Sequence, residues 1–250
     1  MKKFFIFFVM AVVVGFTSCN KDEDEAENSG TPLIKTHIAT YGDGAAENEA
    51  FEYDSKGRVV KIILSDGNVL ITYVSDTQIK VVEGSDVSEY TLDANGRAVS
   101  VKSTDASGAV ETYAFMFSSG FMSFEGQTTT VSNGNIVKEV AIVGEYTYET
   151  IYAYYTDKTN TIGTNNQGVK FMGLDNKNPV KTATSTSTSP NGTYSSTVNY
   201  TYEFDSKGRI TKVTGVSSSP VKMQRKEMSK KFMLLNRLQN LENHTYTYTN

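Results

Sequence analysis

Along residues 33–216 apolar and polar positions alternate in short runs, and this two-residue period predicts strands rather than helices. The aromatics keep the same beat. Tyr113/Phe115/Phe117, Tyr146/Tyr148, Tyr152/Tyr154, Tyr200/Tyr202/Phe204 and Tyr246/Tyr248 each fall on one face of a strand. In the run from Val59 to Leu64, Val59/Lys61/Ile63 alternate with Val60/Ile62/Leu64, so both faces of that strand are expected to be covered.

Turn signals separate the runs. Three segments align without gaps: Phe51 to Val59, Tyr90 to Ala98 and Tyr202 to Ile210, each with Asp, two residues, Gly and Arg at its centre. The physical content is a hairpin. Asp54, Asp93 and Asp205 cap backbone amides of the turn, the next two residues form a type I turn, and Gly57, Gly96 and Gly208 take the left-handed site that closes a bulge. Asp105-Ala106-Ser107-Gly108 repeats the turn without the arginine. Asp157 to Asn160 and Asp175 to Asn178 put Asn, the next most tolerant residue, where Gly stood. Two-residue turns fit at Asp66-Gly67 and Asn133-Gly134. A long antiparallel meander follows: an all-β domain whose sheet is expected to curl, either as an open sheet or as a barrel.

Two regions break the pattern. Residues 182–202 hold 12 Ser/Thr in 21 positions around Pro190-Asn191-Gly192, either a partly exposed polar hairpin or an edge that presents or binds glycans. Over Val221 to Leu241 the period changes: Met228, Phe232, Leu235, Leu238 and Leu241 follow helical spacing, with Lys222, Arg225, Lys226, Lys230, Lys231 and Arg237 around them. One amphipathic helix is expected there, inserted before the closing Tyr246-Thr247-Tyr248 strand. It could cover a face of the sheet, lie on an anionic membrane or dock a partner protein.

The chain opens differently. Met1-Lys2-Lys3 precedes an apolar run from Phe4 to Phe16, too short to span a bilayer and matching the core of a secretory signal. Phe16-Thr17-Ser18-Cys19 then leads into the chain's one cysteine. This is similar to a bacterial lipoprotein signal, with Phe16 in place of the usual leucine, and implies that residues 1–18 are removed and Cys19 is lipidated. An ordinary cleaved signal with an incidental thiol is the alternative. Residues 19–31 follow as an acidic tether, one lysine against five acids, with nothing to bury. Its position resembles the surface-export signal of Bacteroidetes lipoproteins. The folded domain is then expected over residues 32–250.

Composition narrows the function. Of 250 residues, 24 Lys+Arg stand against 28 Asp+Glu, a net charge of −4 that argues against nucleic acid as a partner. One cysteine and two histidines exclude a disulfide framework and a Cys- or His-rich metal centre, and no cofactor motif is present.

The Tyr/Phe-Asp-x-x-Gly-Arg-Val/Ile units resemble the tyrosine-aspartate repeats of Rhs-type wall and toxin-shell proteins. Joined to the lipoprotein start, they look most like a family of uncharacterised Bacteroides lipoproteins built on such repeats. The segment from Gly173 to Val216 carries the resemblance best. It implies an outer-membrane lipoprotein and no activity.

No nucleophile elbow, phosphate loop or zinc-helix motif is present, and Asp54, Asp93 and Asp205 are accounted for as turn caps. His37, in a first strand, and His244, beside the closing one, read as structural or exposed. The chain is therefore expected to be a binding module rather than an enzyme. It would be anchored in the outer membrane, facing the surface or the periplasm, with a glycan, peptide, envelope or host protein as ligand. Tyr146, Tyr148, Tyr152, Tyr154 and Tyr155 are its candidate aromatic platform. An assembly component docked through residues 221–241 is the second reading, and a hydrolase with a carboxylate pair the third.

Overall fold

The computed structural model describes residues 32–40, 46–124, 126–218 and 243–249. The signal sequence, Cys19, the acidic tether and the helix expected over 221–241 lie outside the described residues.

Seventeen strands account for most of the described chain, and no α-helix occurs among the described residues. They are β1 (Ile34–Thr40), β2 (Ala46–Tyr53), β3 (Val59–Leu64), β4 (Gly67–Ser75), β5 (Gln78–Glu83), β6 (Asp86–Leu92), β7 (Ala98–Thr104) and β8 (Val110–Ala114). A short hairpin follows, β9 (Met116–Ser118) with β10 (Phe121–Ser123). Then come β11 (Gln127–Ser132), β12 (Asn135–Val143), β13 (Tyr146–Tyr154), β14 (Val180–Ser189), β15 (Gly192–Phe204), β16 (Ile210–Ser217) and β17 (Asn243–Tyr248). Fifteen of them form one antiparallel sheet in the order β11 through β17, then β1 through β8. The first strand of the domain pairs with the last, His37 opposite Tyr246.

The sheet is strongly curled. Strands β12 and β6 stand second and thirteenth in the order, eleven spacings apart, which would be about 53 Å in a flat sheet. Yet Ile136 of β12 donates its N–H to Asn176, while Tyr90 of β6 packs its ring 5.4 Å from that of Phe171. Those two loop residues, five positions apart, can be separated by at most about 18 Å. The edges β8 and β11 are not hydrogen-bonded to each other. With every intervening pair antiparallel they run in the same direction, so no simple hairpin could join them, and the β9–β10 hairpin carries the chain across the seam.

What the sheet curls around is the chain's own segment 155–179. Ile162, Val169 and Phe171 of this loop join the core formed by Ile34, Phe51, Val59, Ile71, Ile79, Val81 and their neighbours. Its backbone is satisfied by several strands and turns: Ile34 N–H donates to Asn166 O (2.8 Å), Val59 N–H to Gly168 O (3.3 Å), Leu174 N–H to Gly120 O (2.9 Å) and Lys177 N–H to Gly134 O (2.9 Å). A buried loop of 25 residues is tolerable only with such partners. Asp175 organises it, Oδ1 accepting from Thr164 N–H (2.9 Å) and Oγ1 (2.5 Å), Oδ2 from Asn165 N–H and Nδ2 (both 2.8 Å). Asp157 to Asn160 and Asp175 to Asn178, which the sequence pattern offers as hairpin turns, are instead the two ends of this plug.

The three Asp-x-x-Gly-Arg segments adopt one geometry. At the first, Gly57 N–H donates to Asp54 O (3.0 Å), Lys56 N–H and Arg58 N–H share Asp54 Oδ1 (2.9 Å each), and Gly57 has φ +71°. Asp93 and Asp205 repeat this with Gly96 at +74° and Gly208 at +75°, and a register shift marks the bulge beside each. The arginines turn back over rings, Arg58 on Tyr73 (4.0 Å), Arg97 on Phe117 (4.8 Å) and Arg209 on Tyr248 (4.5 Å), each also paired with its own aspartate. Asp105 to Gly108 forms the same turn at the other end of the sheet. At residues 64–67 the turn lies one position earlier than the pattern suggests, since Leu64 pairs with Gly67. Nor are both faces of β3 covered: Val59 and Ile62 are buried, while Ile63 is exposed on the outside.

Candidate functional site

Alternation assigns every strand an inner and an outer row, and the outer row mixes charged and hydroxyl residues with exposed Ile38, Leu70, Ile142, Ile151 and Val216. On the outside, Thr72, Lys80, Glu89, Lys102 and Thr112 sit opposite one another across β4 to β8, and Lys138–Glu149 and Lys212–Glu203 form ion pairs elsewhere. The Ser/Thr-rich hairpin adds outer pairs between hydroxyls, Thr184 with Thr197 (2.9 Å) and Thr186 with Ser195 (3.2 Å).

The inner wall changes character along its length. Toward the plug it is apolar and aromatic, and four tyrosines there hold the neighbouring strand by its first residues. Tyr53 OH donates to Ile34 O (2.5 Å), Tyr202 to Val180 O (2.7 Å), Tyr248 to Ile210 O (2.7 Å), and Tyr154 likewise to Ile136 O. Burial pushes these phenols above their ordinary range. From mid-sheet to the far end the inward positions become polar. Ser88 meets Ser103 (2.9 Å), Thr150 meets Ser185 (3.0 Å), and Glu139 accepts from Tyr152 OH (2.6 Å) and Gln127 Nε2 (2.9 Å). Burial raises Glu139 despite those two donors, and raises Glu83 to about 7 with help from Asp66 and Asp86.

Inside this polar half the two histidines come together. His37 and Glu49 face each other across β1 and β2, and His244 lies opposite Ala39 on β17. His37 Nδ1 is 2.9 Å from Glu49 Oε2 and its Nε2 is 2.6 Å from His244 Nδ1. The rings stack on one another and on Tyr246. All three polar residues are nearly out of contact with solvent, at 3%, 8% and 2% exposure for His37, Glu49 and His244. Burial first, and His37 beside it second, push His244 down to about 3. Among the described residues the buried Nε2 of His244, Oε2 of Glu83, Oγ1 of Thr129, OH of Tyr73 and Oε1 of Gln167 have no hydrogen-bond partner. Orphaned polar atoms of this kind point to water or ligand. No group of three or more His, Cys, Asp or Glu among the described residues is arranged to hold a metal.

The five tyrosines expected to form an exposed platform are divided between the inner wall and the plug. Tyr146, Tyr148, Tyr152 and Tyr154 share one face of β13, and it is the inner one: Tyr152 and Tyr154 pack against the core. Tyr146, stacked on Tyr148 at 6.2 Å, reaches the far rim with 41% exposure. Tyr155 belongs to the plug and donates to Tyr200 O (3.0 Å). The histidine pair went unread in the sequence because its members are 207 positions apart, and only the pairing of first and last strands unites them. Cys19 is outside the described residues, and Asp54, Gly57, Asp93, Gly96, Asp205 and Gly208 are the turns described above.

No family model and no curated protein matches the chain. Among solved structures it is similar to a porin-like protein from Bacteroides uniformis. The TM-score is 0.52 at 14% identity, over 86% of this chain and 98% of that one. At that identity the likeness concerns the fold alone: a large curled antiparallel sheet.

Proposed function

We propose that the protein is a lipid-anchored envelope protein that binds a glycan along the polar inner wall of its curled sheet. The observation that carries the reading is the wall itself: inward hydroxyls and carboxylates from β5–β7 and β12–β15, ending in the exposed Tyr146 and its neighbour Tyr148 at the rim. A sugar offers hydroxyls to the unpartnered His244 Nε2, Glu83 Oε2 and Thr129 Oγ1, and an apolar ring face to tyrosine. Anchoring rests on the Cys19 signal and the tether, and membership of the tyrosine-aspartate repeat lipoproteins on the Asp-x-x-Gly-Arg units.

A membrane-spanning pore is the reading the fold likeness invites, and the outer row across β5 to β7 argues against it. A transmembrane barrel turns an apolar band about 25 Å tall outward, and a mid-strand Lys there costs about 2–4 kcal/mol. Lys80, Glu89 and Lys102 occupy that place here.

The test is a glycan array probed with the mature chain, alongside Tyr148→Ala, Ser185→Val and the outward control Thr186→Val. Binding lost in the first two and kept in the third supports the reading. Binding unaffected by both inner variants refutes it. Protease shaving of intact cells, with a periplasmic protein as control, decides which side of the outer membrane the domain occupies.

A further inference from the structure

The histidine pair goes further than a polar lining. Three groups in series, Glu49, His37 and His244, are linked through both nitrogens of the middle ring and leave one ring nitrogen, His244 Nε2, without a partner among the described residues. In the tautomer pair with His37 Nδ1–H donating to Glu49 Oε2 and His244 Nδ1–H donating to His37 Nε2, His244 Nε2 is left as a bare acceptor. Stacking on Tyr246 and burial hold the ring in place.

The charge of the surrounding wall points the same way. Lys35, Lys61, Lys80, Lys102, Lys138 and Lys212 stand in outward rows, whereas the inner rows in this half carry the carboxylates Glu47, Glu49, Glu83, Asp86, Glu111 and Glu139 with the two histidines. An anionic ligand would meet carboxylates and a lone pair. A hydroxyl can donate.

We infer that His244 Nε2 receives a hydroxyl of the ligand, and that the Glu49–His37–His244 series makes the wall selective for neutral over acidic sugars; this rests on the glycan reading above. Because His37 and His244 are the chain's two histidines, selective ¹⁵N-histidine labelling reports on them alone. The experiment is a long-range ¹H–¹⁵N spectrum of the mature protein at pH 7.5. It is repeated with cellobiose, maltose, N,N′-diacetylchitobiose and digalacturonic acid, with amide shifts at Tyr148 and Ser185 recorded in parallel on a uniformly ¹⁵N-labelled sample. The expected spectrum shows an unprotonated Nε2 on His244, moved upfield by at least one neutral disaccharide and unmoved by digalacturonic acid. A proton on His244 Nε2 in the free protein overturns the inference, as does equal response to the acidic sugar. Neutral sugars that shift Tyr148 and Ser185 but leave His244 unmoved overturn it too, while the glycan reading stands. Silence at all reporters with every sugar refutes both.

Discussion

Replacing Asp175 by alanine tests whether the curled sheet is held by its plug. Asp175 is 2% exposed, and its carboxylate receives four hydrogen bonds from Thr164 and Asn165. Burial pushes the group up to about 6 even against those donors, so it is ionised at pH 7.5. Alanine leaves the amide and hydroxyl of buried Thr164 without an acceptor, at about 1–3 kcal/mol each, while the half-buried Asn165 can turn to water. The expected loss is about 3–5 kcal/mol, a fall of about 10 °C in Tm for a domain of this size. Thr164→Val removes one of the four bonds and costs about 1 kcal/mol in the wild-type background. In the Asp175→Ala background it costs close to nothing, since its acceptor is already gone. Thermal unfolding measures the sums, and trypsin measures the mechanism. Lys158, Lys170 and Lys177 lie in the plug, and cleavage there should accelerate in the variant before the strands unfold. A Tm within 2 °C of wild type, with unchanged cleavage at these lysines, would refute the reasoning.

Glycines where the plug meets the wall should be far less replaceable than those in free turns. A Cβ on Gly168 would stand 2.8 Å from Gly57 O, and on Gly173 2.7 Å from Gly120 O, both at positive φ. Gly168→Ala and Gly173→Ala are expected to cost about 3 kcal/mol or more by urea unfolding, against about 1 kcal/mol for Gly96→Ala, whose Cβ meets nothing. Acid should destabilise the fold through His244. Its folded pKa is depressed to about 3 from the usual 6.5, so the contribution is complete above about pH 6.5 and shrinks as pH falls toward 3. At pH 5 the loss is about 2 kcal/mol, and His244→Gln should flatten the difference between urea midpoints at pH 7 and pH 5. An equal difference in wild type and variant would contradict the assignment.

What the sequence made legible was local. The turn at Asp93 needs only five consecutive residues, and its aspartate, glycine and arginine are all used within the turn, so the pattern in the chain and the geometry coincide. Periodicity placed Tyr146, Tyr148, Tyr152 and Tyr154 on a common face but could not say which, because that depends on how the sheet curls. The plug was hidden for a related reason. Asp157 and Asp175 carry the signature of a turn, yet Lys177 bonds to Gly134 and Gly168 to Val59, partners more than 40 positions away. His37 and His244 are the extreme case, each unremarkable in its own strand and meaningful only when the domain's ends meet.

The most direct measurement of the central claim compares two adjacent positions on β14 that face opposite ways. With Cys19 changed to Ser, single cysteines are placed at Ser185, inward and buried, and at Thr186, outward, and their reaction with a maleimide is followed in water with and without the sugar returned by the array. Rapid labelling at 186 that the sugar leaves unchanged is expected, with slow labelling at 185 that the sugar slows further. Protection at 186 with none at 185 would place the ligand on the outer face and contradict the inner-wall reading.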